Sequence, residues 1–359
     1  MKIKLVTIAH SHFCESGRWM LQLLNDKMDG IQVEEAVYTM VPSGCWGETA
    51  SKIRAMEMPN SATHLQRYKE SVPGTYFYPS NIKDDIKNEV DKKEKNRMDT
   101  TMTPVAIVKN GTDDSIVLLG DSHEIVDFVC YQIGIKSLTP SLRRKFDIYG
   151  TACRNLYYYH SALKYENTMS RDEMINFMSL HYFTCIGDGN DATSDKGIES
   201  SIFFTEKRDL LDDTFDGMTA KYNGLSIMEE KSLQEIDEMF QYVEKHLQNH
   251  EYLGGDQPSG DDYIFAALSS LIIYPIMPSN VKGLCFLHDE TVFDALPPKF
   301  KARSTQYRNR VAGKHVLKMY RLHRNCHIDK SGKYHQIIEP ATDAFLSGNK
   351  NYSNASSKM

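Results

Sequence analysis

An apolar run, Ile3-Lys4-Leu5-Val6-Thr7-Ile8-Ala9, stops at the polar turn that opens Ser11-His12-Phe13-Cys14-Glu15-Ser16-Gly17-Arg18-Trp19. A strand-length run followed by a serine, and then by Trp19, Leu21, Leu23 and Leu24, predicts strand, turn and helix. Extended chain returns from Ile31 to Val41, so residues 1–41 read as strand, helix, strand. Order resumes at Met102-Thr103-Pro104-Val105-Ala106-Ile107-Val108, a strand led by a proline. Asn110-Gly111 then separates it from Ile116 to Leu119, which is a hairpin signal with a slightly long loop. Asp121-Ser122 opens a helix whose apolar positions Ile125, Val126, Phe128, Val129 and Ile133 suit packing on a sheet.

Between these halves, residues 42–101 carry Pro42, Pro59, Pro73 and Pro79 and a charged run from Lys83 to Arg97. They read as a long insertion holding one solvated helix. After Ser137-Leu138-Thr139-Pro140 the chain turns helical: a Tyr-rich stretch from Leu142 to Lys164, a Met-rich one from Met174 to Tyr182, and an amphipathic one from Glu229 to His246. At 359 residues the chain exceeds what one compact core usually holds. The expected division is 1–135, an α/β unit carrying the insertion; 140–328, an all-α helical bundle; and 329–359, a mobile Ser/Asn/Lys-rich tail.

With 41% hydrophobic and 25% charged residues and a net charge of −6, nothing in the composition calls for nucleic acid or a membrane as partner. The longest apolar stretch, Tyr263 to Pro278, is too short for a bilayer core and reads as a buried helix. No secretory leader is visible, so the expected location is cytoplasmic. The cysteines (Cys14, Cys45, Cys130, Cys153, Cys185, Cys285 and Cys326) are odd in number and widely spaced. They suggest reduced thiols, with no zinc ribbon or disulfide framework. His323, Cys326 and His327 fit no standard zinc spacing, and no metal is expected. Residues 299–324 hold nine Lys or Arg and no Asp or Glu. They read either as a surface for an anionic partner, RNA or an acidic lipid surface, or as a late helix whose apolar side (Val311, Val316, Leu317, Tyr320) docks on the helical domain; the second reading is preferred.

The order βαβ, insertion, Pro-ββα and then an all-helical domain resembles the glutathione transferase family. The match covers 3–41, 102–135 and 140–325; the connection at 42–101 is normally much shorter. Four local motifs carry it. Ser11-x-x-Cys14-x-x-x-Arg18-Trp19 is similar to the segment joining strand one to helix one, and Thr103-Pro104-Val105 to the cis-proline turn. Asp121-Ser122 is similar to the acidic-plus-serine pair, and Tyr252-Leu253-Gly254-Gly255-Asp256-Gln257-Pro258-Ser259-x-x-Asp262 to the capping segment of the helical domain. The resemblance implies a thioredoxin-like α/β N-terminal domain, an all-α C-terminal domain and dimerisation. It also implies an enzyme that joins glutathione to an apolar electrophile, with glutathione as substrate and no resident cofactor.

It assigns roles as well. Ser11 would donate its hydroxyl to the glutathione sulfur, where a helix N-terminus also favours the thiolate; plain N-capping is the competing meaning. Cys14 is the alternative catalytic group, as a redox thiol, against a reading as a small buried hydrophobe. His12 is expected to be an exposed turn histidine. A cis bond before Pro104 would turn the Thr103 backbone toward the cysteinyl part of glutathione; otherwise Pro104 simply starts a strand. Asp121 and Ser122 would hold the γ-glutamyl end while also capping their helix. Ser259 to Asp262 is read as a structural cap. Tyr157, Tyr158, Tyr159 and the Met-rich helices are candidates to line the electrophile side, although such residues more often belong to the core. The rival readings are a thiol oxidoreductase using Cys14 and a non-catalytic interaction protein of the same fold.

Overall fold

The computed structural model describes residues 1–8, 11–38, 104–109, 116–168, 225–275, 293–294, 298–324 and 334–339. The insertion at 42–101, Thr103, the Asn110-Gly111 turn, and the stretch from Met174 to Tyr182 lie outside them.

The first unit runs β1 (Lys2–Ile8), α1 (His12–Lys27), β2 (Gln32–Tyr38), β3 (Val105–Lys109), β4 (Ile116–Leu119) and α2 (Ser122–Ile133). β1 pairs in parallel with β2, from Lys2 opposite Gln32 to Ile8 opposite Tyr38. A parallel pair needs a crossover, and α1 supplies it. On its other side β1 pairs antiparallel with β3, and β3 with β4, as the hairpin pattern predicts. α2 starts on an Asp121 cap that accepts from Glu124 N and ends at Gly134, whose φ of 70° is the left-handed cap conformation. This βαβ-ββα order is the thioredoxin-like topology.

The tail departs from expectation. Residues Tyr334–Glu339 form β5, which adds in parallel to β2, Val33 lying opposite Tyr334 and Tyr38 opposite Glu339. The sheet is therefore five-stranded, in the order β4-β3-β1-β2-β5. The physical reason is an edge: without β5, β2 would present a row of unpaired N–H and C=O groups.

The second unit is helical, as expected. A 3₁₀ turn at Pro140–Leu142 leads into α3 (Arg143–Thr168), followed by α4 (Leu225–Leu247), α5 (Gly260–Ile273), α6 (Pro298–Asn309) and α7 (Val311–His323). α5 is buried along its whole length and packs against α1, α3 and α7. A helix apolar all round belongs at the centre. Among the described residues, no helix is long and apolar enough to cross a membrane.

The basic segment follows the preferred reading. Arg303 and Lys299 pair with Glu229 at 2.5 and 3.2 Å, Lys301 pairs with Asp294, and Lys318 with Glu251 at 2.8 Å. Arg310 meets Glu244 at 2.9 Å and also Asp237, and Arg308 donates to the Ile273 and Tyr274 carbonyls that end α5. These cations tie α6 and α7 to the bundle, while Val316 and Tyr320 are buried beneath.

The start of α5 is knotted by one carboxylate. Asp262 accepts from Ser259 N (2.8 Å), Ser259 Oγ (2.7 Å), Leu253 N (2.7 Å), Gly254 N (3.1 Å) and His315 Nε2 (2.9 Å). Burial pushes this carboxyl up, but the His315, Leu253 and Ser259 bonds outweigh it and hold it below the usual carboxylate range. The cap thus gathers a loop, the central helix and α7. We expect Ser259→Ala to cost about 1 kcal/mol, like other caps. Asp262→Ala should cost at least about 3 kcal/mol, because it strands several buried donors together. Urea unfolding of the two variants checks this; equal losses would mean that Asp262 is an ordinary cap.

Candidate functional site

Strand register brings the predicted site residues to one end of the sheet. β1 runs toward Ser11 and its Val6 lies opposite Val105, the first residue of β3. Ala106 in turn lies opposite Leu119, the last residue of β4. The exit of β1, the entry of β3 and the exit of β4 therefore share an end, and with them the Ser11 turn, Pro104 and Asp121-Ser122. Both α1 and α2 begin there, so two helix N-termini, each carrying about half a positive charge, face the same end.

Ser11 caps α1, its Oγ accepting from Cys14 N at 3.2 Å. Capping uses the oxygen as an acceptor and leaves its O–H to donate; the two readings of Ser11 coexist. Pro104 is buried against the same helix. A Cβ placed on Gly17 would lie 3.1 Å from Pro104 Cγ and 3.3 Å from Ile125 Cδ1, so glycine is what lets β3's proline and α2 approach α1 this closely. Asp121 caps α2 by accepting from Glu124 N at 2.8 Å, and Ser122 is buried beside it. Thr103 lies outside the described residues. Cys14 is wholly buried, which agrees with its reading as a small buried hydrophobe. A thiol without solvent contact cannot reach a disulfide brought from outside. Tyr157 is buried, while the side chains of Tyr158 and Tyr159 lie outside the described residues.

One expectation is overturned. His12 is buried, and its Nε2 lies 2.7 Å from the Gly150 carbonyl of α3. A carbonyl only accepts, so this nitrogen carries the proton and donates. Burial lowers the His12 pKa to about 3; the Gly150 bond opposes that shift, and the charge of Arg154 adds to it. The imidazole is neutral.

Sequence reasoning missed a second feature. α1 is enclosed on nearly every side, so its polar residues Glu15, Ser16 and Arg18 sit inside and need partners. Ser16 Oγ donates to Phe13 O at 2.7 Å. Arg18, with no exposed surface, donates to Glu35 of β2 (2.6 Å), Glu15 (3.1 Å) and Thr7 of β1 (3.3 Å). Thr7 also donates to Glu35, at 2.7 Å. Arg324, just past α7, donates to the other oxygen of Glu15 at 2.9 Å and reaches Gln22. The signal was present in the sequence as an arginine next to Trp19 on the helix and a glutamate inside an apolar strand. Near this network, Trp19 Nε1 donates to His323 O at 2.9 Å, and His323 Nε2 bonds Tyr252 OH at 3.0 Å. His323 is thus a packing residue; Cys326 and His327 lie outside the described residues, among which no metal-holding group occurs.

Two measurements follow. Arg18→Met removes a buried cation bonded to Glu35 and Glu15, and should cost about 3–5 kcal/mol in urea unfolding. The double change Arg18→Met/Glu35→Leu should be less destabilised than the single one; a double variant worse than the single would show that the pair itself carries net stability. His12 gives a pH signature. Its folded pKa of about 3 lies below the unfolded value of 6.5, so below that value the unfolded chain takes up a proton first. The His12 contribution is intact above the unfolded pKa and is lost as pH falls toward the folded one. Between neutral pH and about pH 5 the wild type should lose ~2 kcal/mol more than His12→Gln. Parallel pH profiles would contradict the burial of His12.

No protein-family model matches the sequence, and no curated protein matches it. Among solved structures the chain is similar to FzlA from C. crescentus, with 13% identity, 91% of this chain and 90% of that one covered, and a TM-score of 0.35. It is also similar to a glutathione transferase family member from Pseudomonas fluorescens pf-5 with two glutathione bound (12% identity, 88% and 92% covered, TM-score 0.30). A glutathione transferase from Burkholderia graminis, with two glutathione molecules bound per subunit, gives 10% identity, 98% and 88% coverage and a TM-score of 0.35. The topology described above, a thioredoxin-like unit followed by a helical one, is the fold class expected from the sequence.

Proposed function

We propose that this chain is a cytoplasmic glutathione transferase-like enzyme, working as a homodimer, that joins the glutathione thiolate to an apolar electrophile. The observation that supports the reading is the shared sheet end: Ser11, Pro104 and Asp121-Ser122 come from segments far apart in sequence and lie at the end where α1 and α2 begin.

The chemistry follows from charge. An ordinary thiol has a pKa of about 8.5 and is mostly protonated at neutral pH. At the head of α1 a sulfur would meet the Ser11 O–H and the positive end of the helix, and both stabilise the anion. Ser11 is suited to donate because its oxygen already accepts from Cys14 N. In this reading the thiolate attacks the electrophile's carbon, the sulfur–carbon bond forms, and the leaving group departs with the electron pair. The γ-glutamyl carboxylate would sit at the start of α2, where Ser122 and the helix N–H groups favour an anion. The backbone of Thr103 ahead of Pro104 would pair with the cysteinyl part. The burial of Cys14 favours conjugation over thiol–disulfide exchange.

The decisive test is binding followed by turnover. Glutathione at a hundredfold excess over Kd should stabilise the protein by about 2.7 kcal/mol, seen as a thermal shift. Ser11→Ala should keep that shift within about twofold in Kd and lose about a hundredfold to a thousandfold in conjugation rate, the range expected of one hydrogen-bond donor to a developing anion. No shift at millimolar glutathione would point to a non-catalytic interaction protein, and undiminished conjugation by Ser11→Ala would remove Ser11 from the chemistry.

A further inference from the structure

His12 and Phe13, the first two residues of α1, both engage a single residue of the helical unit. His12 Nε2 donates to the Gly150 carbonyl, 138 positions away in sequence. Phe13 lies across the Gly150 α-carbon: a Cβ there would fall 2.6 Å from Phe13 Cζ and 2.9 Å from Cε1, with Leu268 Cδ2 at 3.0 Å behind. The two rings are themselves in contact, with centroids 4.4 Å apart. Glycine inside a helix is destabilising by roughly 0.5–1 kcal/mol relative to alanine. Its presence in α3 is accounted for by this approach, since any side chain would push Phe13 away. One imidazole and one phenyl ring thus bracket a bare patch of backbone.

We propose that His12 is a positioning residue: through its bond to Gly150 it hangs the Ser11 turn from the helical unit and so aims the Ser11 hydroxyl. The inference rests on the reading of Ser11 as the thiol's donor. Ser11 is one peptide unit from His12, so few rotations separate the imidazole from the hydroxyl. A cap alone does not fix the turn, because a cap bond ties Ser11 only to its own helix. The Gly150 bond adds an anchor outside that helix. A neutral Nε2–H donor is what this anchor needs, and the enclosed site keeps the ring in that form. The carbonyl it uses has a second lone pair beyond any bond within α3, so the anchor does not require α3 to unwind.

The test compares His12→Leu, which cannot donate, with His12→Gln, whose side-chain amide can reach the same carbonyl. Each is measured below its own unfolding temperature. The readout is the pH midpoint of thiolate absorbance of bound glutathione, with the affinity for S-methylglutathione as a control that lacks the thiol. His12→Leu should raise the midpoint by about one unit, the equivalent of about tenfold in thiolate stabilisation. It should lower kcat accordingly and leave the S-methylglutathione affinity within about twofold. His12→Gln should recover most of the shift. A folded His12→Leu with the wild-type midpoint and kcat overturns the proposal, as does a His12→Gln that behaves like His12→Leu. If the wild type binds no glutathione, the Ser11 reading fails separately, and amide hydrogen exchange then judges the anchor. Exchange about tenfold faster at Glu15 to Gly17 in His12→Leu, with α4 unchanged, supports it; unchanged or uniformly faster exchange refutes it.

Discussion

Among the described residues, four buried charges tie the first unit together. Arg18, Arg324, Glu15 and Glu35 have almost no exposed surface, and their bonds run between β1, α1, β2 and the end of α7. Taking ions out of water costs several kcal/mol each, and attraction offsets this only with good geometry and every lone pair engaged. Here the geometry is good: Arg18 spreads its donors over three acceptors, and Glu15 gives one oxygen to each arginine. The consequence is specificity of arrangement. An apolar slab at this position would tolerate α1 sliding or turning on the sheet, whereas the arginine fork accepts one register. The network also closes the chain on itself, since Arg324 lies 309 positions from Glu15.

With α1 fixed, the second frame is the central helix α5. Its start is held by Asp262, and Asp261 beside it accepts from Thr139 N at 2.9 Å and Thr139 Oγ1 at 2.6 Å. Burial raises the Asp261 carboxyl, and the Thr139 bonds only partly offset it. The two adjacent carboxylates therefore face different ways chemically. One gathers donors from the 253–259 loop and α7; the other pins the link between the units. α1 then packs between α2 and α5, with Trp19 edge-on to Tyr263 at 5.5 Å.

Much of this was legible in the sequence because it is written locally. The strand–helix–strand opening, the hairpin, and the caps at Ser11, Asp121 and Ser259 depend on residues within a few positions of each other, and each formed as read. The misreadings concern partners far away. His12 looks like a turn histidine until Gly150 closes over it, and no spacing rule links those positions. The burial of Arg18 and Glu35 was not read, because period alone cannot tell a solvated residue from one enclosed between a sheet and two helices. β5 was hidden because Tyr334–Glu339 sits in a polar tail; its pairing comes from an open edge at β2, which is a property of the sheet. The basic segment was legible only as two alternatives, and the acidic residues that decide between them, Glu229, Glu244 and Glu251, lie on other elements.

The network and the proposed chemistry meet at Glu15. A carboxylate in the first turn suits the helix dipole and serves the stability of α1. For a thiolate held at the same helix end it is the wrong neighbour, because a like charge nearby disfavours ionisation. Glu15 is neutralised twice, by Arg18 and by Arg324, one from within the helix and one from the far end of the chain. The paired carboxylate presents little net charge to the turn, and the helix dipole and the Ser11 hydroxyl are left to act on the sulfur. A carboxylate held between two buried arginines ties the electrostatics at the head of α1 to the docking of the chain's last helix.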